Sequence, residues 1–257
     1  MFHDRDGRQI HSVSFGAGPT TLVGIPGSIA SWEIWSPVME LLSGKCRVIS
    51  FDHDGVGQTK VPVEEINSDR HLDTLLSVLD HHDADRCVIA GDSNNASLAI
   101  RAAALHPEVF SGLVIVSGHA WGYDYPAARQ FVAALRSDFD STVSWFVDMV
   151  FPEPDVDHLK AWLRDIIDVT GPEASAAIIE SYFGLDVRSE AASCELPSLV
   201  ISGALDSIHP HGVDGARDLA RLLDASLEII EDAGHLPLLS RPERVASALE
   251  QFLERLG

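Results

Sequence analysis

Residues 87–97 read CVIAGDSNNAS. Four residues that favour burial, Cys87 to Ala90, run into Gly91; Asp92, Ser93 and Asn94 follow, and NASLAIRAAALHP (95–107) has helical character. A solid apolar run with no polar alternation reads as a strand buried on both faces of a parallel sheet. Ser93 therefore stands where a buried strand gives way to a helix. A serine at such a place either caps the helix or presents its hydroxyl at the carboxyl end of the strand, where open α/β sheets gather their ligands. The remainder of the chain decides between the two.

The same strand–helix unit recurs on both sides of this stretch. TTLVGIPG (20–27), CRVISFD (46–52), GLVIVSG (112–118), PSLVISG (197–203) and SLEIIED (226–232) are apolar runs of strand length. Helical spacing occupies 31–43, 67–82, 212–223 and 241–256, with Leu72, Leu75, Leu76 and Leu79 on one face of the second. Residues 1–18 read as a hairpin turning at Asp6-Gly7. Such alternation predicts an α/β fold, a mostly parallel, doubly wound sheet. It breaks over 119–193, which holds helical stretches, no convincing strand and many aromatics, Trp121, Tyr123 and Trp145 among them. The expectation is a core formed by 1–118 and 194–257, with a helical insertion over 119–193 acting as a lid on a pocket.

Composition narrows the partners. Eighteen Lys and Arg stand against 39 Asp and Glu, a net charge of −21, which argues against a nucleic-acid partner. Three separated cysteines do not make a disulfide framework. No apolar run approaches 18 residues, and MFHDRDGRQIHS at the start lacks the apolar centre of a signal peptide. The expectation is a cytoplasmic protein with a small-molecule substrate and no membrane partner, whether monomer or homodimer. The histidine runs DHHD (80–83) and HPH (209–211) read as solvated cap residues and, for His209, a pocket rim. No metal or cofactor is expected, and no Gly-Lys-Ser/Thr phosphate loop is present.

A serine nucleophile needs a base in hydrogen-bond reach, a group orienting that base, and donors for the oxyanion. SGALDSIHP places Asp206 just after one apolar strand, and DAGHLPLLSRPERV places His235 in the loop after the last. Ser93, Asp206 and His235 thus follow three separate strands in the order Ser…Asp…His.

Here the chain resembles the α/β-hydrolase superfamily over nearly its whole length, in its serine-nucleophile, esterase- or lactonase-like branch. IPGSIASW (25–32) looks like the family's His-Gly loop, FDHDGVGQT (51–59) like its Asp-x-Arg-Gly-x-Gly-x-Ser loop, and GDSNNA (91–96) like its Gly-x-Ser-x-Gly elbow. SGALD resembles the acid turn, and AGHLPLLSRPERV the histidine loop. The resemblance implies Ser93 as nucleophile, His235 as general base and then acid, and Asp206 as its orienting carboxylate. It also implies an oxyanion hole from the N–H groups of Ser28, after Gly27, and Asn94, and a lid between strands six and seven. Gly27, Trp121, Tyr123, Trp145 and His209 are candidates for the pocket.

Three positions depart from the pattern: Pro26 where His is usual, Asp54 where Arg is common, and Asn95 where the elbow wants Gly. The implied activity is hydrolysis of a small to medium, partly apolar carboxylic ester or lactone through an acyl-enzyme. The alternatives are carbon–carbon bond hydrolysis, hydroxynitrile cleavage or other non-ester chemistry on the same residues, and a non-catalytic ligand-binding receptor.

Overall fold

A computed structural model describes every residue except Tyr123, His209 and Pro210. Strands β1 (Phe2–Arg5), β2 (Arg8–Phe15), β3 (Thr21–Ile25), β4 (Arg47–Phe51), β5 (Cys87–Asp92), β6 (Phe110–Val116), β7 (Ser198–Gly203) and β8 (Ser226–Ile230) form one sheet in the order β1-β2-β4-β3-β5-β6-β7-β8. The hairpin β1–β2 is antiparallel and joins β4 antiparallel; every other pairing is parallel.

Successive strand residues point to opposite faces, and the two cores follow that period. Val88, Ala90, Val114 and Val116 pack on one face, against α1 (Ser36–Leu42) and α11 (Pro242–Leu256). Cys87, Ile89, Leu113 and Ile115 pack on the other, against α2 (Ser68–His81), α3 (Asn95–Leu105) and α9 (Gly212–Leu222). Every residue of β5 is buried, which is why its sequence reads as unbroken apolar up to Gly91.

Between β6 and β7 lie α4 (Pro126–Ser137), α5 (Phe139–Val150), α6 (Asp157–Thr170), α7 (Pro172–Glu180) and α8 (Arg188–Ala192). Val132, Leu135, Val143, Val147, Leu163 and Ile167 of these helices belong to the same apolar cluster as Leu22, Val88 and Leu199 of the sheet. The inserted helices therefore share the core of the sheet on that face. A one-turn helix, α10 (Pro237–Ser240), separates β8 from α11 and has no counterpart among the sequence expectations.

One departure from the family pattern and one histidine expectation find their physical account here. Asp54 is fully buried and accepts from Arg8 Nη1 (3.1 Å to each oxygen), Arg70 Nε (3.3 Å) and Thr74 Oγ1 (2.9 Å). The carboxylate at this position is thus met by two guanidinium groups and a hydroxyl. His82 corrects the expectation of a solvated pair: it does cap α2, but it is buried, with Arg47 Nη2 donating to its Nδ1 (3.2 Å) and Ser12 Oγ 2.9 Å from its Nε2. Burial, with help from the charges of His81 and Arg47, pushes its pKa down to about 4.

Candidate active site

The turn from β5 into α3 fixes Ser93 in a left-handed conformation, φ +54°, which a non-glycine residue adopts only when its surroundings impose it. Ser93 N–H donates to Val116 O (2.9 Å), and Ala96 N–H donates to Ser93 O (3.0 Å). The turn is tight: a Cβ on Gly91 would lie 2.4 Å from Asn95 O, and one on Gly118 would lie 2.3 Å from Ala96 Cβ. Helix α3 begins after Asn94, with no side-chain cap. The Ser93 hydroxyl is thus not spent on capping; it lies 2.9 Å from His235 Nε2.

His235 follows β8, and its Nδ1 lies 2.9 Å from Asp206 Oδ2, after β7. Asp206 Oδ1 accepts from Ile208 N–H (2.9 Å). With the Nδ1 proton on the Asp206 side, Nε2 is left as the acceptor for Ser93. Burial pulls the His235 pKa down, but the Asp206 charge and hydrogen bond, with a further contribution from Asp92, outweigh it, so the net shift is upward. The loop is clamped from the insertion: His235 N–H donates to Val150 O (3.0 Å) and Gly234 N–H to Glu153 Oε1 (2.6 Å).

Ser28 and Asn94 both line the cavity at Ser93, and neither N–H donates to another described residue. Both are free to face an oxyanion. The cavity measures about 380 Å³ and is walled mainly by apolar side chains of the insertion: Ala128 and Phe131 of α4, Trp145, Phe146 and Met149 of α5, and Ile179 of α7. A second cavity of about 40 Å³ shares Ser28, Ser93 and Phe146 with it and adds Gly27, Asp92 and His235.

Trp145, Gly27, Ser28 and Asn94 thus lie at the site, as the sequence suggested. Trp121 lies elsewhere, stacked on His119 (4.9 Å between centroids) and edge-on to His211 (5.3 Å) in a cleft bounded by Asp186 and Arg188. Tyr123 and His209 fall outside the described residues. No His, Cys, Asp or Glu cluster of metal-holding geometry occurs among the described residues, and none of their helices is long and apolar enough to cross a membrane.

Sequence reading marked Asn95 but not its partners, and passed over Glu153 and Asp92. Asn95 is fully buried: its Nδ2 donates to Pro26 O (2.6 Å), and its Oδ1 accepts from the Tyr182 hydroxyl, just beyond α7. The side chain at the elbow's usual glycine position thus ties the Pro26-Gly27 loop to the insertion. Burial pushes the Tyr182 pKa up, which keeps that hydroxyl a donor. Glu153, between Pro152 and Pro154, holds the histidine loop. Asp92 is buried beside the nucleophile, and burial first, then the Asp206 charge, lifts its pKa to about 7 against the pull of His235 and the Gly27 N–H.

A strained serine at a strand–helix turn, hydrogen-bonded to a histidine that is itself held by an aspartate, on this strand order, is the arrangement of α/β-hydrolases. The sequence model of the alpha/beta hydrolase family matches residues 22–248, and the chain belongs to that family. Among curated relatives, a pimeloyl-(acyl-carrier protein) methyl ester esterase of Edwardsiella ictaluri is 28% identical over 251 residues, 93% of this chain and 95% of that protein. A strigolactone esterase of Arabidopsis thaliana is 23% identical over 255 residues, 93% and 94% of the two chains. Among solved structures, the enol-lactonase of Burkholderia xenovorans LB400 superposes with a TM-score of 0.90 at 20% identity, covering 99% of this chain and 100% of its own.

Proposed function

We propose that the protein is a serine hydrolase that cleaves a small to medium, partly apolar carboxylic ester or lactone through an acyl-enzyme. The observation that carries this reading is the relay Ser93 Oγ–His235 Nε2 and His235 Nδ1–Asp206 Oδ2, each 2.9 Å, opening on the larger apolar cavity. His235 takes the Ser93 proton as Oγ bonds to the substrate carbonyl carbon, and gives it to the departing alkoxide as the ester C–O bond breaks. The N–H groups of Ser28 and Asn94 receive the oxyanion. A water then attacks the acyl carbon, its proton passing through His235 back to Ser93 Oγ, and the acid is released. None of these steps calls for a cofactor.

The helices α4–α7 serve as the lid in this reading, because their apolar side chains supply most of the cavity wall. The pimeloyl and enol-lactone compounds named for the two relatives belong to the same ester and lactone class. Both ends of the Asn95 amide are engaged, by Pro26 and Tyr182, and so are not offered to a substrate for non-ester chemistry. The test is Ser93→Ala on short p-nitrophenyl esters. Turnover is expected to fall by roughly 10⁴-fold or more; unchanged turnover overturns the reading.

A further inference from the structure

The mechanism above leaves one buried carboxyl at the site unused. Asp92 is 1% exposed, and its two oxygens have different surroundings. Oδ2 faces Gly27, where an added Cβ would lie 2.8 Å away. Oδ1 has no hydrogen-bond partner among the described residues. Asp92 lines the cavity of about 40 Å³ together with Ser93 and His235; the rest of the wall is mostly apolar, with Ala30, Ile34, Val150 and Leu163 among its members. A space of this size takes one or a few waters, and a water needs at least two polar partners to be held there. His235 borders this smaller cavity, whereas the larger one is bordered by Asn94 and the apolar helices.

We propose that Asp92 and this small cavity form the seat of the hydrolytic water, held with one hydrogen toward His235 Nε2 and the other on the Asp92 carboxylate. The inference rests on the acyl-enzyme reading. In the step itself, the water oxygen bonds to the acyl carbon and its first proton goes to His235. The bond from that carbon to Ser93 Oγ then breaks, and His235 returns the proton to Oγ. The second hydrogen leaves with the product acid, and Asp92 neither gains nor loses a proton. Methanol, with one hydrogen, fills the His235 contact but not the Asp92 contact. Asp92 therefore favours water over a small alcohol as acceptor. Ionised, Asp92 accepts more strongly; the charges facing it are His235 and Asp206, and the Gly27 backbone also favours its charged form.

The test is the product ratio, methyl ester to free acid, from a p-nitrophenyl ester at a fixed methanol concentration, read alongside the p-nitrophenol burst. Asp92→Leu is expected to slow deacylation about tenfold and raise the methyl ester share by a similar factor, with a larger burst. Asp92→Asn keeps an acceptor oxygen, and its ratio is expected to stay within about threefold of the native one. An Asp92→Leu protein with native ratio and native burst overturns the proposal. If leucine is not tolerated beneath Gly27, Asp92→Asn still decides: the native product ratio is expected to change as Asp92 ionises around pH 7 and the Asp92→Asn ratio is expected not to; a native ratio that does not change, or an equal change in both proteins, overturns the proposal. Absence of any acyl adduct on Ser93 in the native protein would instead sink the acyl-enzyme reading, and this inference with it.

Discussion

The turn after β7 and the end of β5 each bury a carboxyl beside His235, and they treat it in opposite ways. Asp206 has both oxygens occupied, one by His235 and the other by the Ile208 N–H, so its burial is matched by partners. Asp92 has one oxygen toward Gly27 and the other without a hydrogen-bond partner among the described residues, and burial lifts its pKa to about 7. Depth is the same; partnership differs. In the proposed mechanism this difference separates a carboxylate that orients the base from one that meets a reactant.

The largest effect is expected at the partnered carboxylate. Asp206→Asn should lower kcat/KM by roughly 10³-fold or more, because the amide no longer selects the His235 tautomer that accepts from Ser93. A loss of tenfold or less on p-nitrophenyl esters would put Asp206 in the same rank as Asp92.

Stability sharpens the comparison from the other side. An unfolded aspartate ionises near 3.8, whereas Asp92 in the folded chain does so at about 7. Between those values folding takes up a proton, so this group's contribution to stability falls as pH rises from about 4 to 7 and stays low above that. Asp92→Asn should therefore raise the urea midpoint at pH 8, by the equivalent of a few kcal/mol, and do little at pH 4. Equal shifts at both pH values would show that ionisation is not the cause.

Tyr182→Phe should cost about 1–3 kcal/mol, since it leaves the buried Asn95 Oδ1 without its donor. Urea unfolding measures this, and a neutral result would mean that the elbow asparagine does not depend on the insertion. The smallest effect is on the acid limb of kcat/KM. Activity needs neutral His235, whose pKa is raised, so activity should be lost as pH falls through a value above 6.5. Asp92→Asn removes one of the charges that raise it and should move that limb to lower pH, by less than about one unit.

What the sequence revealed follows from which interactions are local. The strands showed because β5, β6 and β7 are buried on both faces and so exclude polar residues. Ser93, Asp206 and His235 showed because each sits directly after such a run. Asn95 and Asp54 could be located but not explained, and Glu153 was passed over, since their partners lie far along the chain: Tyr182 for Asn95, Arg8 for Asp54, Gly234 for Glu153. Trp121 and Trp145 looked alike in sequence, and only the packing of the inserted helices puts the second at the cavity and the first in a separate cleft. Asp92 was hidden because a carboxyl before the nucleophile reads as one more turn residue until its burial is seen.

The central claim is that His235 activates Ser93 to form a covalent intermediate, and mapping the adduct of a fluorophosphonate tests it most directly. The account predicts a single adduct on Ser93 in the native protein, formed much more slowly in His235→Ala. An adduct elsewhere, none at all, or equal rates in the two proteins would contradict it.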